Sequence, residues 1–205
     1  MIDDFAKEYL HADLRQVRTT MLWKLEGLTE YDVRRPLTAT GTNLLGLIKH
    51  LAVTEAWYFG EVFGRPFPER APWRNDDDEL TAYLTYKLEL DDMWATEDES
   101  RAGIIDLYRR AWEHSDATID ALAIDAPGHV AWWPRPHVKL FNILVHVLTE
   151  TNRHAGHADI LREQLDGSVG GEPGTAGLHV RDLAYWEIHR DKIERAAKAG
   201  TPTQG

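Results

Sequence analysis

The sequence predicts an all-α protein, a four-helix bundle with an additional C-terminal helix. Four long segments carry apolar residues three and four positions apart, which is the spacing of a helix that buries one face. The segments between them are rich in proline, glycine and acidic residues, which favour turns. Because each predicted helix has one apolar stripe, packing the four stripes together is the simplest way to bury them.

The ends of the predicted helices are marked by capping and breaking residues. In chain order the four long helices span residues 3–28, 44–64, 100–124 and 138–165, and a fifth amphipathic helix spans residues 179–198. Thr42 or Asn43 is a good N-cap for the second helix, and Asp125-Ala-Pro-Gly128 ends the third. These signals predict where each apolar stripe starts and stops.

The longest connection, residues 65–99, lies between the second and third helices. A short helix over residues 80–90 and a polar stretch over residues 91–99 are predicted inside it. A connection of this length leaves open whether the topology is simple up-and-down. As domains, residues 1–167 are predicted to form the bundle, and residues 168–205 a glycine-rich linker and a C-terminal helix that packs on the same domain.

The charge and composition restrict the classes of partner. The 205 residues include 34 acidic and 23 Lys or Arg residues, a formal charge of −11. This charge argues against nucleic acids and anionic membranes as partners, because both bind positive surfaces. No apolar run approaches the roughly 20 residues that span a bilayer, and the acidic, amphipathic N-terminus is unlike a signal peptide. We therefore expect a cytoplasmic protein.

The chain contains no cysteine. Disulfides, thiolate metal ligands and cysteine nucleophiles are therefore excluded. Any thiol chemistry needs a thiol that arrives with a substrate, and the ten histidines are the nitrogen ligands available for a metal.

Four side chains that can bind metals recur along the fourth helix: His146, Glu150, His154 and His157. Their spacings of four, four and three place them within an arc of about 80° on one side of a helix. His50, in the second helix, can meet this stripe if the two helices are neighbours. Spacing alone leaves open which of these residues are ligands, and a polar seam between helices is the alternative interpretation.

The candidate residues suit a particular kind of metal site. Two histidines and one carboxylate form a three-ligand set that leaves one position for water or substrate, which is typical of catalytic rather than structural sites. Zinc suits this set, and iron, nickel and manganese also fit it.

Two other features have simple structural explanations. His11, among the charged residues of the first helix, is predicted to lie at the surface or in an interface. Trp132 and Trp133 lie in a stretch made rigid by two prolines. This stretch is predicted either to cap one end of the bundle or to form the wall of a pocket.

Two stretches of the chain resemble the DinB superfamily. Leu47-Ile-Lys-His50-Leu-Ala-Val-Thr-Glu55-Ala-Trp57 is similar to its second bundle helix, and Glu150-Thr-Asn-Arg-His154-Ala-Gly-His157-Ala-Asp-Ile to its last. Asp91-Asp-Met-Trp-Ala-Thr96 and Gly156-His-Ala-Asp-Ile-Leu-Arg162 are typical of an actinobacterial branch. The resemblance covers about residues 5 to 195.

The resemblance implies a four-helix bundle with a divalent metal, commonly zinc or nickel, held by His50, Glu150 and His154. Glu150 stands where many members have histidine, and a glutamate is also present there in the mycothiol-dependent maleylpyruvate isomerase type. His157 replaces the usual glutamine, so it is a partner of a ligand, an extra ligand or an acid/base group. His146 matches no general ligand of the family.

The resemblance also implies a chemistry. Relatives include thiol-dependent transferases and isomerases that use mycothiol, bacillithiol or glutathione, and they often dimerise. We therefore expect an S-transferase or isomerase with a low-molecular-weight thiol as cosubstrate, a small electrophile as substrate and a homodimeric assembly. Trp57, Trp132 and Trp133 are the expected binding residues for these small molecules, and His157 the expected proton carrier. The alternatives are a metal-stabilised binding bundle without turnover and a metallohydrolase.

Overall fold

A computed structural model shows a predominantly helical chain. It describes residues 4–68, 90–171 and 182–200. Two compact units are present, Met1–Gly171 and Glu172–Gly205. Among the described residues, no helix is both long enough and apolar enough to cross a membrane.

Six α-helices are present within the described ranges. They are α1 (Asp4–Trp23), α2 (Glu30–Arg34), α3 (Leu44–Gly60), α4 (Arg101–Ala121), α5 (Leu140–Asp166) and α6 (Leu183–Ala199). The 3-10 turn Glu61–Phe63 follows α3, and α6 belongs to the second unit. The all-α class, with a bundle and an additional C-terminal helix, is confirmed. The short helix α2 was not predicted, and the helix predicted over residues 80–90 falls outside the described residues, except for Leu90, which lies in a turn.

The central helix of the first unit is α3, and every residue from Leu44 to Gly60 is buried. It packs against α4 and α5, while α1 packs against α5. A helix that is buried on all sides must be apolar on all sides. The few polar side chains of α3, among them Lys49, His50 and Glu55, therefore need partners inside the protein.

Capping residues account for several helix boundaries. Asn43, rather than Thr42, caps α3, because its Oδ1 accepts a hydrogen bond from the Gly46 backbone N–H at 2.7 Å. Ser100 caps α4 in the same way through Gly103 at 3.0 Å. At the far end of α5, Gly167 adopts a φ of 77°, the left-handed conformation that ends many helices.

A short β-hairpin connects α4 to α5. Its strands are β1 (Pro127–His129) and β2 (His137–Lys139), which pair antiparallel. Gly128 lets the hairpin approach the 3-10 turn after α3 closely, since a Cβ there would lie 2.8 Å from Val62 Cγ1 and 2.9 Å from Phe63 Cε1. The hairpin was not predicted, because three-residue strands are too short to show a period of two.

The prediction that His11 lies at the surface or in an interface is wrong. His11 is buried within the first unit, and its Nε2 lies 2.6 Å from Asp116 Oδ1 of α4. Arg18 donates a hydrogen bond to the same oxygen at 2.7 Å and forms a buried ion pair with Glu55 of α3. The pattern of α1 could not reveal these partners, because the carboxylate of Asp116 comes from 105 positions further along the chain.

Candidate metal centre

Three side chains that the sequence singled out lie together between α3 and α5. His50 comes from the middle of α3, and Glu150 and His154 lie one turn apart on α5. The Glu150 Oε1 atom is 3.3 Å from His50 Nε2 and 3.1 Å from His154 Nε2. Among the residues that the structure describes, this is the one group of three histidine or acidic side chains whose ligand atoms all lie within 4.8 Å of one another.

His50 is oriented by Asp92, a residue to which the sequence assigned no role. Asp92 is buried, and its Oδ2 lies 2.8 Å from His50 Nδ1. If His50 donates its Nδ1 proton to this carboxylate, the lone pair of Nε2 faces Glu150. The motif Asp91-Asp-Met-Trp-Ala-Thr96, which contributed to the family resemblance, was the signal that could have pointed to Asp92.

The segment that carries Asp92 is attached to the N-terminal half of α3. The buried Lys49 donates a hydrogen bond from Nζ to the backbone carbonyl of Asp91 at 2.7 Å. The Met93 carbonyl lies so close to Gly46 that a Cβ on this glycine would be 1.8 Å from its oxygen. A residue without a side chain is therefore needed at position 46 for Asp92 to reach His50.

The residues present fit a divalent metal. In a tetrahedral zinc site with bonds of about 2.1 Å, neighbouring ligand atoms are about 3.4 Å apart. The separations of Glu150 Oε1 from the two histidine nitrogens, 3.3 and 3.1 Å, are close to this value. When the Nδ1–H group of His50 donates to Asp92, the Nε2 atom of His50 carries a lone pair that faces the carboxylate of Glu150. These are two hydrogen-bond acceptors, and a cation between them removes their repulsion.

The electrostatics of the group favour the protonation states that bind metals. The imidazoles of His154 and His50, which lie against the carboxylate, hold the pKa of Glu150 well below its ordinary value. Burial lowers the pKa of His154, and this effect outweighs the opposing influence of Glu150. The carboxylate is thus ionised and His154 neutral near pH 7, as metal coordination requires.

His157 lies beside the group rather than within it. It is exposed, and its Nδ1 is 3.4 Å from Nδ1 of His154, the ring nitrogen that does not face Glu150. The structure therefore brings His157 next to His154 on the side away from Glu150. His146, one turn before Glu150, is half-buried, and burial lowers its pKa.

Five aromatic side chains form a continuous cluster, which we call the aromatic wall: Trp57, Tyr58, Trp132, Trp133 and His146. Ring centroids are 4.4 Å apart for Trp57 and Trp132, and 4.7 Å apart for His146 with both Tyr58 and Trp133. The wall joins α3, the hairpin loop and α5. It thus contains the three predicted tryptophans and two members that were not predicted as binding residues, Tyr58 and His146. Because His146 and Glu150 are neighbours on α5, the wall extends along α5 toward His50, Glu150 and His154, which we call the metal-ligand group.

The fold and the site define a class of protein: a helical bundle with a His–Glu–His group of metal-ligand geometry between two of its helices. The chain matches the family model described as Mycothiol-S-transferase over residues 9–167, and it belongs to that family. This is a DinB-like family, so the predicted resemblance is confirmed. A search of curated proteins finds no match.

Proposed function

We propose that this protein is a divalent-metal-dependent enzyme that uses mycothiol, as an S-transferase or isomerase, on a small electrophile. The observation that carries the proposal is the three-ligand group His50, Glu150 and His154 in a member of a mycothiol S-transferase family. Two histidines and one carboxylate leave a coordination position for a substrate. Because the chain has no cysteine, the sulfur must come from a cosubstrate.

Zinc is the metal we expect, and nickel, iron or manganese accept the same ligands. Bound there, the metal would lower the pKa of a thiol at the open position, so that a thiolate is available near neutral pH. The side chain of Glu150 is 29% exposed, whereas those of His50 and His154 are 10% and 9% exposed. The ligand group therefore reaches solvent mainly at Glu150, and we expect the substrates to enter there.

The residues around the ligand group have separate roles in this proposal. Asp92 holds the ring of His50 so that Nε2 faces the metal position. Trp57, Trp132 and Trp133 supply apolar surface for the electrophile and for the organic part of the thiol. Such a surface positions a small molecule and excludes water from the reacting atoms.

His157 is the proposed proton carrier. Imidazole titrates near neutral pH and exchanges protons readily with solvent when exposed. The contact between His157 and Nδ1 of His154 couples His157 to a proposed ligand, and the exposure of His157 lets it exchange a proton with solvent. A His157→Gln variant should therefore shift the pH profile of turnover while retaining the metal.

The test is turnover of mycothiol with a chromogenic aryl halide by zinc-loaded protein. We expect thiol-dependent turnover in the wild type and in His189→Ala, a control on α6, and none in metal-free protein or His154→Ala. Equal turnover by wild type and His154→Ala would contradict the proposal. Hydrolysis without thiol would instead indicate a metallohydrolase, and metal stabilisation without thiol binding would indicate a non-catalytic binding bundle.

We also propose a homodimeric assembly, a cytoplasmic location and a C-terminal helix that packs on the bundle domain. A homodimer follows from the family resemblance, and light scattering at micromolar protein tests it. A cytoplasmic location follows from the composition. The packing of the C-terminal helix on the bundle domain, across a boundary near residue 167, is testable by comparing the thermal stability of the full chain with that of residues 1–171.

A further inference from the structure

Tyr58 occupies the centre of the aromatic wall. Its ring contacts Trp57, Trp132, Trp133 and His146, with centroid distances of 5.7, 6.2, 5.8 and 4.7 Å. Tyr58 itself is buried, while Trp132, Trp133 and His146 are only half-buried. The buried ring of Tyr58 therefore lies against three partly exposed aromatic side chains.

The hydroxyl group of Tyr58 is a hydrogen-bond donor at neutral pH. Burial raises its pKa, the negative charge of Glu150 raises it further, and hydrogen bonds from the indoles of Trp133 and Trp132 only partly offset this. A neutral phenol carries a proton that it can donate to an acceptor oxygen.

We propose that Tyr58 donates this hydrogen bond to an oxygen atom of the electrophile, which makes the site selective for epoxides and α,β-unsaturated carbonyl compounds. The inference rests on the proposed function and names its substrate class. It is supported by the burial of Tyr58, by its central position in the wall and by its contact with His146, which lies one turn from Glu150 on α5.

The chemistry of such electrophiles explains why a neutral donor is useful. When the thiolate sulfur forms a C–S bond with an epoxide carbon, the C–O bond breaks and its electron pair stays on oxygen. The resulting alkoxide accepts the hydrogen bond of Tyr58 and then takes a proton from water, which balances the proton lost by the thiol. A donor aimed at developing negative charge accelerates this step. An alkyl chloride develops no charge on oxygen and gains nothing from the donor.

The experiment compares Tyr58→Phe with the wild type on two probes of similar size, styrene oxide and benzyl chloride, with mycothiol and zinc. We expect kcat/KM for the epoxide to fall by about 100-fold, and that for the chloride to change by less than about threefold. Tyr108→Phe is the matched control: Tyr108 is a fully buried tyrosine that also contacts an indole, Trp112, but lies near Arg18 and Glu55.

A binding measurement separates this inference from the proposed function. Calorimetry gives the affinity of an unreactive aromatic ketone and of the hydrocarbon of the same shape. We expect Tyr58→Phe to weaken the ketone about tenfold and to leave the hydrocarbon unchanged. The inference would be overturned if Tyr58→Phe changed kcat/KM equally for the epoxide and the chloride, or the affinity equally for the ketone and the hydrocarbon. The absence of any effect on the epoxide or the ketone would also overturn it. Absence of thiol-dependent turnover in the wild type, with ketone-selective binding intact, would overturn the proposed function and leave Tyr58 as a binding residue for oxygen acceptors.

Discussion

Asp92 Oδ2 lies 2.8 Å from His50 Nδ1, although the two residues are 42 positions apart. Both side chains are buried, with exposures of 1% and 10%. A carboxylate on one ring nitrogen directs the other toward a metal and increases its basicity. This contact makes Asp92 part of the candidate metal centre, although it does not belong to the group of three ligands.

Removal of the Asp92 carboxylate should weaken metal binding without abolishing it. An Asp92→Asn variant should bind zinc about 10- to 100-fold more weakly, as is usual for loss of a partner of a metal-bound histidine. His50→Ala, Glu150→Ala and His154→Ala should each purify without stoichiometric metal, whereas His189→Ala should retain it. Competition with a chromophoric chelator and elemental analysis measure these effects, and a ligand variant with full metal content would be removed from the ligand set.

The close approach at Gly46 gives a second, purely steric prediction. Gly46→Ala should force the Met93 carbonyl away from α3, because the new Cβ would overlap its oxygen. The shift should draw Asp92 from His50 and so weaken zinc binding as well as the fold. Gly156→Ala on α5 is the control, since a Cβ there meets no atom within 4 Å, and alanine should stabilise the helix by up to about 1 kcal/mol. Unchanged zinc affinity in Gly46→Ala would contradict this role of the segment.

The buried ion pair between Arg18 and Glu55 should be important for stability. Both side chains are 1% exposed, so removing Glu55 leaves a poorly compensated buried guanidinium. Glu55→Ala should therefore lower the free energy of unfolding by roughly 3–5 kcal/mol. The control is Glu194→Ala in the exposed pair with Lys198 on α6, which should change it by less than about 1 kcal/mol. Urea denaturation compares the two variants, and equal losses would contradict the interpretation.

Stability at acidic pH should depend on Asp116. Burial alone would raise the pKa of Asp116, but hydrogen bonds and charges from His11 and Arg18 hold it well below its ordinary value of 3.8. Because the folded state then binds this proton less readily than the unfolded state, the contribution is complete above pH 3.8 and is lost as the pH falls below it. Asp116→Asn should reduce the slope of stability against pH in this window. An unchanged slope, relative to the exposed control Asp4→Asn, would contradict the prediction.

The sequence predicted the parts of the fold that depend on local patterns. The apolar stripes located α1, α3, α4 and α5 to within a few residues at most boundaries. The five-residue helix α2 and the hairpin were missed, because such short elements show no clear period.

The three candidate ligands were predictable from the sequence, but most of the side chains around them were not. The spacing on α5 identified Glu150 and His154 as neighbours, and the family resemblance selected His50 as their partner across the bundle. Asp92 is marked only by its place in the motif Asp91-Asp-Met-Trp-Ala-Thr96, and Tyr58, a tyrosine beside a predicted tryptophan, carries no signal of this kind. The environment of His11 depends on Asp116 of α4, which no pattern within α1 records.

Calorimetric titration of mycothiol into zinc-loaded and metal-free protein tests whether thiol binding depends on the metal. We expect one mycothiol site in the zinc-loaded wild type, with release of a proton as the thiol ionises, and loss of that site in metal-free protein and in zinc-treated His154→Ala. The same affinity for mycothiol with and without metal, or binding without proton release, would contradict a metal-dependent thiol enzyme built on His50, Glu150 and His154.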